Sequence, residues 1–96
     1  MTIITFKPYE IEVKGHSGYG TNGNDIVCSA LSSIVTTTVN AILKYNDSAV
    51  KIKEQDAFVK IKFLKKDRFI NLLIENMREL LEELENQYSK NVKVEV

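Results

Sequence analysis

The chain has little of several things: one cysteine, one histidine, one proline and no tryptophan in 96 residues. A single cysteine excludes an internal disulfide, so packing must hold the fold together and a reducing, cytoplasmic setting is expected. No apolar run is expected to reach the roughly 20 residues of a membrane span. The opening MTIITFKPYE also lacks the charged-then-apolar layout of a signal peptide, so no membrane partner is expected. Net charge is lacking too, with 13 basic against 13 acidic residues. That balance excludes a whole-protein field that would gather nucleic acid, and a nucleic-acid partner is not expected.

The charges are nevertheless segregated. Residues 1–48 carry three Lys against four acids, 49–66 carry six Lys against two acids, and 67–96 carry four basic residues against seven acids. The middle is therefore basic and the tail acidic. Hydrophobic residues make up 44% and charged residues 27%, the balance of a folded domain, and the length allows one core. One domain over residues 1–96 is expected.

Residues 2–7 and 9–15 read as strands joined at Pro8; Tyr9, Ile11 and Val13 alternate with Glu10, Glu12 and Lys14. From Asn24 to about Tyr45 the apolar residues fall at helical spacing, with Asn24 or Asn22 as N-cap and Asp25 in the first turn. The β-branched run Ile34–Val39 opposes helix by propensity, and burial is expected to outweigh it. Residues 49–54 and 58–64 form a second hairpin. Asp67 caps a second helix to about Ser89, whose stripe runs through Ile70, Leu73, Met77, Leu80, Leu81, Leu84 and Tyr88. Residues 92–96 form a last strand. The expectation is an α+β two-layer sandwich in the order ββαββαβ, its mostly antiparallel sheet covered on one face by both helices.

The stretch GHSGYGTNGNDIVCSALS, residues 15–32, holds the only histidine, the only cysteine and all four glycines. Asp25, Cys28 and Ser32 fall at i, i+3 and i+7, one face of a helix. Cys28 lies near the helix N-terminus, where unpaired amides and the helix dipole favour a thiolate, and the loop between can fold His16 back over it. A cysteine within reach of a histidine is the minimal pair for acyl transfer, and the first-turn amides offer an oxyanion site. Asp25 beside Cys28 opposes thiolate formation, so it orients His16 or only caps the helix. Ser32 is placed to hydrogen-bond the sulfur or the histidine.

Set against this is the plain reading of a buried small hydrophobe at Cys28, a strand-end histidine and turn glycines. One His, one Cys and one Asp lack a diagnostic metal spacing, and no phosphate-loop or dinucleotide pattern is present, so no metal and no cofactor are expected. Lys51, Lys53, Lys60 and Lys62 share a strand face and define the alternative, a ribosome- or RNA-associated binding module. No aromatics interleave with them as single-strand binding requires. A redox sensor at Cys28 would lack a resolving partner.

The same stretch resembles the ribosomal-processing cysteine protease (Prp) family, a small bacterial group once known only as a domain of unknown function. Gly15-His16, Gly23, Asp25-Ile26-Val27-Cys28 and Ser32 match its pattern, while Ser17 and Ser29 stand where alanine is common. The resemblance implies an endopeptidase that removes the N-terminal extension of a large-subunit ribosomal protein, the twenty-seventh by the usual count. Cleavage would follow an aromatic pair in that extension. By the same resemblance Cys28 is the nucleophile, His16 the general base, Asp25 and Ser32 supporting residues, and the protein a homodimer. The loop Ser17, Gly18, Tyr19, Gly20, Thr21, Asn22 and Gly23 is expected to move with substrate. Tyr9, Tyr19 and Tyr45 are candidate pocket residues through their nearness to the motif or the helix ends.

Overall fold

A computed structural model describes residues 1–20 and 25–96 of the chain. Seven elements follow in the order β1 (Thr2–Lys7), β2 (Glu10–Lys14), α1 (Ile26–Tyr45), β3 (Val50–Gln55), β4 (Phe58–Phe63), α2 (Arg68–Gln87) and β5 (Val92–Glu95). The strands form one sheet in the spatial order β3-β4-β2-β1-β5. All neighbouring pairs are antiparallel except β1 with β5, which run parallel. The α+β class and the element order agree with the sequence expectation. Each helix bridges two parallel strands that have others inserted between them: α1 carries the chain from β2 to β3, and α2 from β4 to β5.

Period-two alternation decides which face is covered. Ile4, Ile11, Val13, Ile61, Phe63 and Val92 pack with Val27, Leu31, Val39 and Ile42 of α1 and Ile70, Met77 and Leu81 of α2 in a single core. Both helices therefore lie on one face. In α2 the apolar stripe closes on Ile70, Met77, Leu81 and Leu84, whereas Leu80, placed in that stripe by spacing, is 39% exposed. The opposite sheet face is charged. There Glu12 sits among Lys7, Lys14 and Lys60 at 3.4, 3.5 and 3.9 Å. Burial alone would raise its carboxyl, but Lys14 and Lys7 together hold it below its ordinary range.

Helix α1 forms through the β-branched run as expected, with Thr38 donating its hydroxyl back to the Ile34 carbonyl at 3.0 Å. It corrects the expectation about apolar runs. By length and composition α1 could cross a membrane, with a mean hydropathy of 1.8 over its 18-residue window. The serines and threonines of α1 score only slightly polar, and Lys44 is its only charged residue, so no run of charges breaks the window. Its buried residues Val27, Leu31, Thr38, Val39 and Ile42 point into the core.

The two helices are tied end to end. Tyr45 donates its hydroxyl to Asp67, the N-cap of α2, whose other oxygen accepts the Ile70 amide at 2.9 Å. The Tyr45 and Phe69 rings pack against each other at 4.6 Å between centroids, tilted by 50°.

The β3–β4 turn carries one strained residue. Ala57 has φ 55°, a left-handed conformation that suits glycine, while its carbonyl accepts the Gly15 amide at 2.8 Å. Ala57→Gly relieves the Cβ crowding and is expected to stabilise the protein by about 1 kcal/mol, read as a raised urea midpoint. An unchanged or lowered midpoint would mean that the turn tolerates the side chain.

Candidate active site at the N-terminus of α1

The topology collects distant segments at one end of the sheet. The start of β1, the end of β2, the β3–β4 turn and the start of β5 meet there: Ile3 pairs with Lys14, Thr2 pairs with Val92, and Gly15 bonds to Ala57. Helix α1 starts from the same end. Gly15 has φ +88°, and a Cβ on it would stand 2.5 Å from the Met1 carbonyl oxygen. Both the backbone angle and the closeness of β1 demand glycine here, which fixes the direction in which the chain leaves β2 toward His16.

The N-cap of α1 is Asp25, not Asn24 or Asn22. Its backbone is extended (φ −89°, ψ 103°), and its Oδ1 accepts the amides of Val27 and Cys28, each at 3.0 Å. The reason is reach: a carboxylate at the cap meets two of the orphan amides at once, and a charge-assisted bond is the stronger one. Asn22 and Asn24 lie outside the described residues.

The second oxygen of Asp25 holds the loop. Oδ2 accepts the Ser17 hydroxyl and the Gly20 amide, the latter at 3.2 Å. The Ser17 hydroxyl in turn accepts the Tyr19 amide at 3.2 Å. The Ser17 bond above all, then the Cys28 amide, holds the Asp25 carboxyl far below its ordinary range. These four donors account for both oxygens. Of the two roles open for Asp25, the structure gives it capping and loop anchoring, and among the described residues none of its hydrogen bonds reaches His16.

Cys28 is half-buried in the first turn of α1. Its sulfur accepts the backbone N–H of Ser17 at 3.5 Å, a sulfur-length contact from the residue next to His16. His16 itself is exposed. Because the Val27 and Cys28 amides are committed to Asp25, they are not free to receive an oxyanion as the spacing had suggested. The amide that faces the sulfur comes from the loop instead. Ser32 lies on the exposed side of α1, four residues after Cys28.

Ser17 is the residue the sequence undervalued. Grouped with the mobile loop as a neutral replacement for alanine, it is 1% exposed and bonded through hydroxyl, amide and carbonyl. The freedom expected of residues 17–23 therefore cannot begin at Ser17 in this arrangement; the first permissive position is Gly18, at φ +72°. Thr21, Asn22 and Gly23 lie outside the described residues. The tyrosines divide likewise. Tyr19 packs edge-on against Tyr88 at 5.2 Å, at the Cys28 end. Tyr9 is 63% exposed in the β1–β2 turn, with Lys66 5.3 Å over its ring, and Tyr45 ends α1. Tyr45 is about 25 Å along the helix from Cys28. Both belong to the opposite end of the fold, because nearness in sequence to a strand or helix is not nearness to its functional end.

Among the described residues, no three His, Cys, Asp or Glu side chains group in a way that could hold a metal ion. Of the strand lysines, Lys60 is paired with Glu10 at 3.6 Å and with Glu12, so the basic face is interrupted by acids.

A half-buried thiol at a helix N-terminus, faced by a loop amide beside a histidine, on an α+β sheet, is the arrangement of a cysteine-dependent hydrolase. Residues 1–93 match the sequence profile described as "Cysteine protease Prp", and the chain belongs to that family of cysteine proteases. Among solved structures it is similar to the essential ribosomal processing protease Prp of S. aureus in complex with a covalently linked product peptide. The TM-score is 0.87 at 24% identity, covering 98% of this chain and 95% of that one. The same S. aureus protease with a substrate peptide gives a TM-score of 0.79 at 23% identity, over 97% and 94% of the two chains. A protein of Streptococcus mutans gives 0.75 at 25% identity, over 98% and 90%. No curated protein sequence matches the chain.

The Asp25 junction carries a pH signature. Its folded-state pKa is depressed, so its contribution to stability is present above the ordinary carboxylate value of about 4 and lost as pH falls below it. Ser17→Ala removes the largest cause of that depression. The variant is expected to melt lower at neutral pH and to lose less stability between about pH 4 and pH 2 than wild type, measured as Tm against pH. Parallel profiles would show that the Ser17 bond does not hold the carboxylate.

Proposed function

We propose that the chain is an endopeptidase that trims the N-terminal extension of a large-subunit ribosomal protein, with Cys28 as nucleophile and His16 as general base. The observation that carries the reading is the placement of the Cys28 sulfur at the N-terminus of α1 under the Ser17 amide, with His16 one residue away. Family membership and the S. aureus ribosomal processing protease with its peptides support the substrate class.

In this mechanism His16 takes the thiol proton, and the Cys28 sulfur attacks the scissile carbonyl carbon, forming a C–S bond. The C–N bond breaks, and His16 returns the proton to the departing amine. Water, deprotonated by His16, then cleaves the thioester, releasing the new carboxyl end and the thiol. Side chains and water complete the balance, so no cofactor is required. Asp25 supports the site by fixing the first turn and the loop together. Ser32, on the same turn-to-turn row as Cys28, assists by hydrogen bonding to the sulfur or the histidine. The protein works in the cytoplasm as a homodimer.

Incubating the purified chain with a peptide of the extension, read by mass spectrometry, tests this directly. Cys28→Ala is expected to abolish cleavage, a loss of at least about 1,000-fold for a removed nucleophile. Ser32→Ala is expected to slow cleavage with the fold intact, by the roughly 10- to 100-fold of a lost supporting hydrogen bond. Cleavage by Cys28→Ala at the wild-type rate would refute the mechanism.

A further inference from the structure

The buried residue that faces the thiol is itself held from the far end of the chain. Ser17 presents its N–H to Cys28 Sγ, and its carbonyl accepts Nδ2 of Asn91 at 2.9 Å across 74 residues of sequence. Asn91 stands between α2 and β5 with its own backbone fixed on both sides. Its amide donates to the Tyr88 carbonyl at 2.8 Å, and its carbonyl accepts the Thr2 amide at 2.9 Å. The carboxamide thus projects from an anchored backbone, and it grips a loop residue that has no regular structure of its own.

We infer that Asn91 is a positioning residue for the thiol: its carboxamide fixes the Ser17 peptide so that the Ser17 N–H stays aimed at Cys28 Sγ. The inference rests on Cys28 being the nucleophile. A donor aimed at sulfur favours the thiolate over the thiol, because the anion is the better acceptor. That preference lasts only while the amide is held in place. The Ser17 hydroxyl and the Gly20 amide tie the loop to Asp25, but neither bond grips the Ser17 backbone, which they leave free to turn. The carbonyl tie from Asn91 removes that freedom. Removing the carboxamide takes away the donor that the Ser17 carbonyl has among the described residues and lets the neighbouring N–H swing off the sulfur.

The ionisable groups of the loop and the first helix turn are His16, Tyr19 and Asp25, with Tyr88 at the end of α2 packed on Tyr19, and the carboxamide of Asn91 bonds to none of them. A change in thiol reactivity on altering Asn91 therefore reports the Ser17 peptide. The test compares wild type, Asn91→Ala and Asn91→Leu, the last keeping the side-chain volume without a charge while losing the donor. Three readouts are taken: the rate of iodoacetamide alkylation of Cys28 across pH, kcat and KM on the extension peptide, and Tm. Both variants are expected to alkylate about two- to tenfold more slowly at neutral pH, the range of one neutral hydrogen bond. The alkylation midpoint moves to higher pH, and kcat falls with KM little changed. If Tm falls while the alkylation profile stays at that of wild type, Asn91 only braces the fold and the inference is overturned. Wild-type alkylation in Asn91→Leu, the neutral variant of similar volume, overturns it as well. Failure of the proposed function reads differently: Cys28→Ala would then still cleave, whatever the alkylation profiles of the Asn91 variants show.

Discussion

The site depends on the carboxylate of Asp25. One oxygen caps α1 through the Val27 and Cys28 amides, and the other gathers the Ser17 hydroxyl and the Gly20 amide. A single side chain thus sets where the helix begins and where the loop from β2 lies relative to it. The distance between the Cys28 sulfur and the Ser17 amide follows from that junction. A buried carboxylate needs donors on each oxygen, and the four here supply them, which is why the loop lies down against the helix at all.

That arrangement resolves a conflict in the chemistry. A carboxylate next to a nucleophilic cysteine opposes its ionisation, and Asp25 is only three residues from Cys28. Among the described residues, however, its charge is spread into four hydrogen bonds, two of them from the helix N-terminus itself. The remaining N–H that faces the sulfur comes from the loop. The described part of the loop therefore belongs to the site's electrostatics, and its residue Ser17 is held from both Asp25 and Asn91.

Much of the fold was legible in the sequence because hydrophobic period is a local signal. Alternation at Tyr9–Lys14 and the α2 stripe marked their elements to within a residue or two, and strand pairs on short turns led to a mostly antiparallel sheet. The parallel pairing of β1 with β5 joins opposite ends of the chain and has no local signature. The N-cap was misplaced by one residue or three, at Asn24 or Asn22, because asparagine and aspartate compete for that role, and only geometry shows which reaches the amides. At the site, spacing and resemblance pointed to Cys28, His16, Asp25 and Ser32. Ser17 and Asn91 were not visible: serine in a glycine-rich loop looks like turn chemistry, and the partner of its carbonyl lies 74 residues away. Tyr9 and Tyr45 were drawn in by sequence proximity and lie at the wrong end of the sheet.

The most direct test of the account is affinity labelling. A peptide of the extension that ends in a chloromethyl ketone after the aromatic pair implied by the resemblance would be incubated with the wild-type protein, and the adduct mapped by tandem mass spectrometry. The account predicts one adduct, on the Cys28 sulfur, formed in step with loss of cleavage. Loss of cleavage with the label on another residue, or full labelling of Cys28 with cleavage intact, would contradict it.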